Sequence, residues 1–393
     1  MKLLLLLLPA LLMQAITFNQ LCENAYNASD ELILTQGNID ASRHFKSSVL
    51  ASNPLSIDIA SSAVRGVDST DSGWRYGGML SYSFKKTGAS ENTALLYDSE
   101  KQLYTQEAQQ TRQKLQISLK HNWFINLIEQ ERVAILQEVV NATQKSYDIG
   151  RQKVDAGRMS RMELQRLAVE KENALQALYV GKMEEDHIQE TLKETTMTTN
   201  TVVVDDKPFA FVTTTSITQE QVKNSIHLQK IQSRIASLDI QAKASQYDNN
   251  NVYTIGLGAT HEPAQDSLDV ALTIPLIFGE KNEKKAAALM TQKSSLIHAS
   301  VMTAKKLQMH LNVLLDHLHF KEKRYNDALK TQETKKNLLN MSQKGYEAGV
   351  VSQFEYIATQ KEYFESRLLC LELKRDYVNE LAQLEEKLGE TIQ

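Results

Sequence analysis

An eight-residue pattern, A-G-x-x-S-x-x-E, occurs twice in this 393-residue chain and constrains its fold more than any other feature. Ala156-Gly157-Arg158-Met159-Ser160-Arg161-Met162-Glu163 and Ala348-Gly349-Val350-Val351-Ser352-Gln353-Phe354-Glu355 share Ala, Gly, Ser and Glu at an offset of 349 − 157 = 192. A repeat at this spacing predicts a duplicated chain. Each copy also has a local meaning. Gly157 and Gly349 suit the left-handed residue that ends a helix, while Ser160 with Glu163, and Ser352 with Glu355, are S-x-x-E capping boxes that start the next one. Both copies therefore read as tight helix-to-helix turns. Residues 86–155 and 281–347 contain no proline, so each can run as a helix of about 100 Å at 1.5 Å per residue. Ile117, Phe124, Ile128, Ile135 and Val139 keep to one stripe of the first helix. Downstream, Phe354, Ile357, Phe364, Leu368, Leu371, Val378, Leu381 and Leu388 recur at steps suited to helices packed side by side as in a coiled coil. The scarcity of breakers, 15 glycines and 5 prolines, fits long antiparallel hairpins and not a turn-rich all-β chain.

Four segments depart from this helical pattern. In 74–84, Trp74, Tyr76, Leu80, Tyr82 and Phe84 alternate with Arg75, Gly77, Met79, Ser81 and Ser83, a period of two. Tyr253 to Ala259 and Leu268 to Leu276 alternate in the same way, and 55–63 does so through Leu55, Ile57, Ile59 and Ala63. Each half is thus expected to hold two strands joined by a polar loop, 65–73 and 260–267. Strands of about ten residues are long enough to cross a bilayer, but alternation is equally expected of a soluble sheet packed on helices. If the strands lie in lipid, four cannot close a barrel, so several chains must combine; three would give twelve strands.

Charge and composition narrow the classes further. With 44 basic and 48 acidic residues there is no basic excess to neutralise a nucleic acid. Two cysteines, Cys22 and Cys370, exclude a disulfide scaffold or a Cys-based zinc site. His310, His317 and His319 lack a carboxylate or thiol to complete a metal set, and no phosphate loop, nucleophile elbow or paired-carboxylate motif is present. Neither an enzyme nor a cofactor is expected. Lys2 followed by the apolar run Leu3–Met13 and the small residue Ala15 reads as an export signal over 1–15. The expected organisation is then a first structural repeat at 16–197, a Thr-rich linker at 198–216 and a second repeat at 217–393, each repeat giving a helix, two strands and a long helical hairpin.

Taken together these residues resemble the TolC-like outer-membrane efflux proteins. Ile16 to Ala25 is similar to the family's opening helix, Asn53-Pro54 to the break before its first strand, and Ala271-Leu272-Thr273-Ile274-Pro275-Leu276-Ile277-Phe278-Gly279 to its strand-to-helix passage. Tyr346-x-x-Gly349 through Glu355 resembles its helix-turn tip. The resemblance implies a mainly α chain with a small β part. In it, four strands per protomer join a trimeric twelve-stranded outer-membrane barrel, continued by a helical tunnel through the periplasm of a Gram-negative bacterium, and 198–216 lies in an equatorial region. It implies a passive exit duct, a homotrimer in outer-membrane lipid. Its partners would be a periplasmic adaptor docking at the hairpin tips, Gly157 with Ser160 and Gly349 with Ser352, and an inner-membrane transporter of RND or ABC type. The alternatives are the outer-membrane component of type I protein secretion and, in a different class, a soluble periplasmic coiled-coil scaffold. The resemblance also implies a periplasmic gate. Glu355 and Glu163 fall at acidic positions of the constriction, and Tyr346 at a tyrosine that restrains the closed tip, here by a hydrogen bond to Glu163. The family's second acid is Ala358 in this chain and its arginine is Val351.

Overall fold

The computed structural model describes residues 17–51, 55–65, 73–85, 88–198, 211, 216–246, 252–263, 265–275 and 280–392. The export signal, Asn53-Pro54, Leu276 to Gly279 and nearly all of the 198–216 linker lie outside these residues. The elements, in order, are α1 (Phe18–Ala28), α2 (Asp30–Leu50), β1 (Leu55–Val64), β2 (Gly73–Lys85), α3 (Ala89–Asp155) and α4 (Arg161–Thr196). The same order then recurs as α5 (Gln219–Lys223), α6 (Ile226–Ser245), β3 (Val252–Glu262), β4 (Gln265–Thr273), α7 (Lys281–Glu347) and α8 (Gln353–Leu388). The long helices match in length, 67 residues for α3 and α7 and 36 for α4 and α8. No helix among the described residues is long and apolar enough to cross a membrane.

The chain divides into two units, Met1–Leu32 with Gln110–Ile226 and Lys305–Gln393, and Ile33–Gln109 with His227–Ala304. The first unit is helical. Its apolar stripes meet as expected: Ile125, Ile128 and Ile135 of α3 bury against Leu371 and Val378 of α8, with Phe124, Val139, Phe364 and Leu368 packed on their flanks. A second cluster joins Leu21, Cys22 and Ala25 of α1 to Leu119 and Trp123 of α3 and Leu192 of α4. Thr17 and Gln20 form a capping box that starts α1. Cys22 and Cys370 are both buried free thiols, and burial pushes the Cys22 thiol up to about 11. Buried charge is matched in this unit. Glu129, 1% exposed, accepts from Arg375 at 3.0 Å and from Arg132 at 3.4 Å, and Glu385 takes Lys120 at 2.6 Å. A lone buried carboxylate would carry a desolvation cost of several kcal/mol, so the Arg375–Glu129 and Lys120–Glu385 pairs tie α8 to α3.

The second unit holds the sheet. Its four strands are antiparallel in the order β1-β2-β3-β4, so the sheet joins the two sequence halves through β2 and β3. Ion pairs Lys46–Asp98 at 2.7 Å and Lys293–Asp239 at 2.5 Å tie α2 to α3 and α6 to α7 within this unit. Two expected boundaries move. The 260–267 loop is not a loop: β3 continues to Glu262 and β4 begins at Gln265, with Thr260 opposite Ser267 and Glu262 opposite Gln265. Polar side chains are compatible with strand pairing, and they read as a loop only because the apolar alternation stops. β4 also ends at Thr273, two residues before Pro275, whose missing N–H cannot extend the ladder.

Candidate functional site

Two regions carry the predicted features, the sheet in one unit and the hairpin tips in the other. In the sheet, register places one kind of side chain on each face. Cross-strand rows Leu55–Tyr82–Ile255–Leu272, Ile57–Leu80–Leu257–Val270 and Ile59–Gly78–Ala259–Leu268 form an apolar face. Phe84 and Tyr253 stack beyond it at one end, with ring centroids 5.6 Å apart, and Tyr76 packs against His261 at the other at 4.7 Å. From Phe84 to Tyr76 the strand covers eight positions, about 27 Å at 3.4 Å per residue, or about 20 Å once tilted as barrel strands are. The opposite face is polar. It carries hydrogen bonds between Ser56 and Ser81 at 2.6 Å, Ser83 and Thr254 at 2.9 Å, and Thr260 and Asp269 at 2.6 Å, and an Arg75–Glu262 ion pair at 2.9 Å.

Among the described residues nothing covers the apolar face. Ile59 is 83% exposed and Leu268 81%, and the band as a whole exposes on the order of 1,000 Å² of apolar surface, well above what a soluble monomer ordinarily leaves to water. β1 and β4 are edge strands. The apolar face is thus flanked by aromatic rows and bounded by two strand edges that pair with nothing among the described residues.

The tips are built by their backbone. At the end of α3, Gly157 takes φ +71, its N–H donates to Val154 O at 2.9 Å, and Arg158 N–H donates to Lys153 O at 2.7 Å. At the end of α7, Gly349 takes φ +74 with the corresponding bonds to Tyr346 O at 3.0 Å and Gly345 O at 2.8 Å. Both are Schellman turns, which need a residue tolerant of the left-handed region. Ser160 then caps α4: its Oγ accepts from Glu163 N at 3.2 Å, and Ser160 N donates back to Glu163 Oε2 at 2.9 Å. These hydrogen bonds hold the Glu163 carboxyl below its usual range. Ser352 caps α8 through Glu355 N at 3.1 Å, but the expected reciprocal bond is not made. The second capping box is therefore half a box, and the Glu355 side chain is left exposed.

Tyr346 has a different partner from the one expected. Its hydroxyl accepts from Lys153 Nζ at 3.4 Å, its ring stacks on Tyr356 with centroids 5.3 Å apart, and Glu163 is engaged by its own cap. Lys153 is the hub of this end of the unit. Its ammonium also donates to Gln353 Oε1 at 2.6 Å, and the buried Gln353 amide donates to Ser146 O at 3.4 Å. These bonds connect α3 to both α7 and α8. Neither Lys153 nor Gln353 stands out in the sequence. A signal was available in the repeat, whose 192-residue offset sets Lys153 against Gly345 and Gln353 against Arg161, so both bonding partners sit where the halves differ. Among the described residues no cluster of three or more His, Cys, Asp or Glu can hold a metal ion; His317 instead meets Glu380 at 3.1 Å, beside Lys321.

No protein-family model matches the chain, and no curated protein sequence does. Solved structures do. The channel protein CusC, described for its transmembrane channel formation, aligns at a TM-score of 0.76 with 12% identity, over 95% of this chain and 92% of that one. The Campylobacter jejuni CmeC outer membrane channel aligns at 0.72 with 12% identity, over 96% and 86%. The outer membrane protein VceC of Vibrio cholerae aligns at 0.72 with 12% identity, over 96% and 97%. The repeated hairpins, the four-stranded sheet with its apolar face and these full-length alignments agree, and the chain has the fold of the TolC-like outer-membrane channels.

Proposed function

We propose that the chain is an outer-membrane exit duct that passively conducts substrate delivered by an inner-membrane pump through a periplasmic adaptor. The observation that carries this reading is the sheet, with one face apolar, the other polar and both edges open. Lipid satisfies the apolar face, and only closure with further chains satisfies the edges, because an unpaired strand edge is not viable in a bilayer. Three copies give twelve strands around a polar lumen. The recurrence of element order and helix length supports a duplicated chain, with repeats at 16–197 and 217–393 and an equatorial linker at 198–216. Structural neighbours described as outer-membrane channels support placement in the outer membrane, with the helices reaching into the periplasm.

In this reading the turns at Gly157 with Ser160 and Gly349 with Ser352 receive the adaptor, and the energy comes from a pump of RND or ABC type. Glu355 is the stronger gate candidate of the two acids. Its carboxylate is not consumed by its own cap, so threefold symmetry can gather three into a ring that favours cations. Glu163 contributes chiefly through its helix cap, and Tyr346 restrains the tip together with Lys153. Cell fractionation followed by native mass spectrometry in detergent tests the proposal. An outer-membrane trimer is expected, and a monomer recovered from the soluble periplasm refutes it.

A further inference from the structure

The two hairpin tips share a backbone and differ in surface chemistry. Both make the same Schellman bonds and the same serine cap, yet Arg158, Arg161 and Met162 of one stand where Val350, Gln353 and Phe354 stand in the other. Arg158 and Arg161 are exposed, and neither takes part in an ion pair among the described residues. Local folding does not call for them. Arg161 opens α4, where the helix dipole favours negative charge, and the second tip makes an equivalent turn with Val350 and with Gln353 folded inward onto Lys153. The second tip instead presents Val350, 84% exposed, while Met162 of the first is 65% exposed. The first tip thus exposes Met162 beside two cations that take part in no ion pair among the described residues, and the second, whose Gln353 bonds to Lys153 of α3, exposes Val350.

Building on the exit-duct reading, we infer that the adaptor's contact segment is acidic as well as apolar, with carboxylates that meet Arg158 and Arg161 and apolar side chains that cover Val350 and Met162. The two tips of a protomer are then engaged by non-equivalent contacts, one weakened by salt and one not. A single exposed ion pair adds little affinity, so the arginines act mainly by steering the partner and by the contrast between an attractive and a repulsive loop.

The test uses full-length protein in detergent and two designed helical hairpins that differ only in their loops, one with paired Glu and the other with paired Lys, each flanked by leucines. The Glu hairpin is expected to bind about tenfold more tightly at low salt, with the advantage shrinking as screening rises. Arg158→Glu with Arg161→Glu should reverse the order. Arg158→Gln with Arg161→Gln should abolish the preference, and this neutral variant keeps the test decisive if the reversed one does not fold. Val350→Ser should weaken the Glu hairpin without changing its salt dependence. Absence of binding, equal binding of both hairpins, or a preference that survives the double reversal overturns the inference. So does tighter binding to phosphatidylglycerol vesicles than to the Glu hairpin, which would assign the arginines to a lipid surface. Raised conductance of the reversed variant in planar bilayers without any hairpin also overturns it, by assigning them to a neighbouring copy. Failure of the exit-duct reading itself is separate, because it appears in the unmodified protein as the absence of both trimer and conductance.

Discussion

Replacing Val270 by arginine separates the two environments a sheet of this kind can occupy. Val270 lies in the row Ile57–Leu80–Leu257–Val270, midway between the Phe84 and Tyr76 ends of the apolar face, and is 70% exposed in the isolated chain. In water, a side chain this exposed tolerates arginine to within about 0.5 kcal/mol. At the midplane of a bilayer the same change costs about 2–4 kcal/mol per chain, roughly 30- to 1,000-fold in the folding equilibrium. Two controls bracket the effect. Ala271→Arg points to the polar face and should be nearly neutral in a water-filled lumen, and Ser61→Arg, in the row of Tyr76 and His261, should cost about 0–1 kcal/mol near the interface. Urea-dependent folding into phosphatidylcholine vesicles, followed by tryptophan fluorescence with Trp74 on the same face, reads all three. Equal tolerance of arginine at 270 and 271 would refute the assignment of the apolar face to lipid.

The tips and the helical core offer further tests. Ser160→Ala should lower stability by about 1 kcal/mol through loss of the α4 cap, read by thermal unfolding; no change would remove the cap from the account. Because the folded state holds the Glu163 carboxyl below its ordinary value of 4.5, its contribution is complete above that pH and is lost as pH falls through the depressed value. The stability difference between wild type and Glu163→Gln should therefore shrink on acidification, and a constant difference would contradict the cap geometry. Gly157→Ala and Gly349→Ala should each cost about 1–2 kcal/mol from backbone conformation alone, since a Cβ at either meets nothing within 4 Å; wild-type stability would show that the left-handed turn is not kept. Arg132→Ala and Arg375→Ala should each cost about 1 kcal/mol or less, because both arginines are part-exposed. Together they strand the buried Glu129 and should cost about 3–5 kcal/mol, so additive losses in urea denaturation would count against the paired arrangement.

Much of this architecture is legible in the chain because its signals are long. A proline-free stretch bounded by Gly349 gives α7 the limits Lys281–Glu347 directly, and strict alternation locates β2 to within a residue at either end. The hairpin of β3 and β4 was harder. Beyond Ala259 both faces turn polar, so backbone pairing there leaves no pattern in side-chain hydropathy. The tips were legible in backbone and not in side-chain contacts. Gly157, Ser160, Gly349 and Ser352 announce their conformations, whereas Tyr346 finds Lys153 and Gln353 turns inward because of which helix faces meet, a tertiary fact that spacing within one helix does not encode. Glu355 shows the same limit, since S-x-x-E permits a capping box without requiring the glutamate to bond back.

The proposed exit duct requires that strands from three chains close a barrel in the outer membrane. Single-channel recording of the purified protein in a planar bilayer tests it most directly. Discrete conductance steps are expected, one per inserted trimer, with cation preference reduced by Glu355→Gln. Protein that leaves the bilayer electrically silent while remaining folded would contradict it.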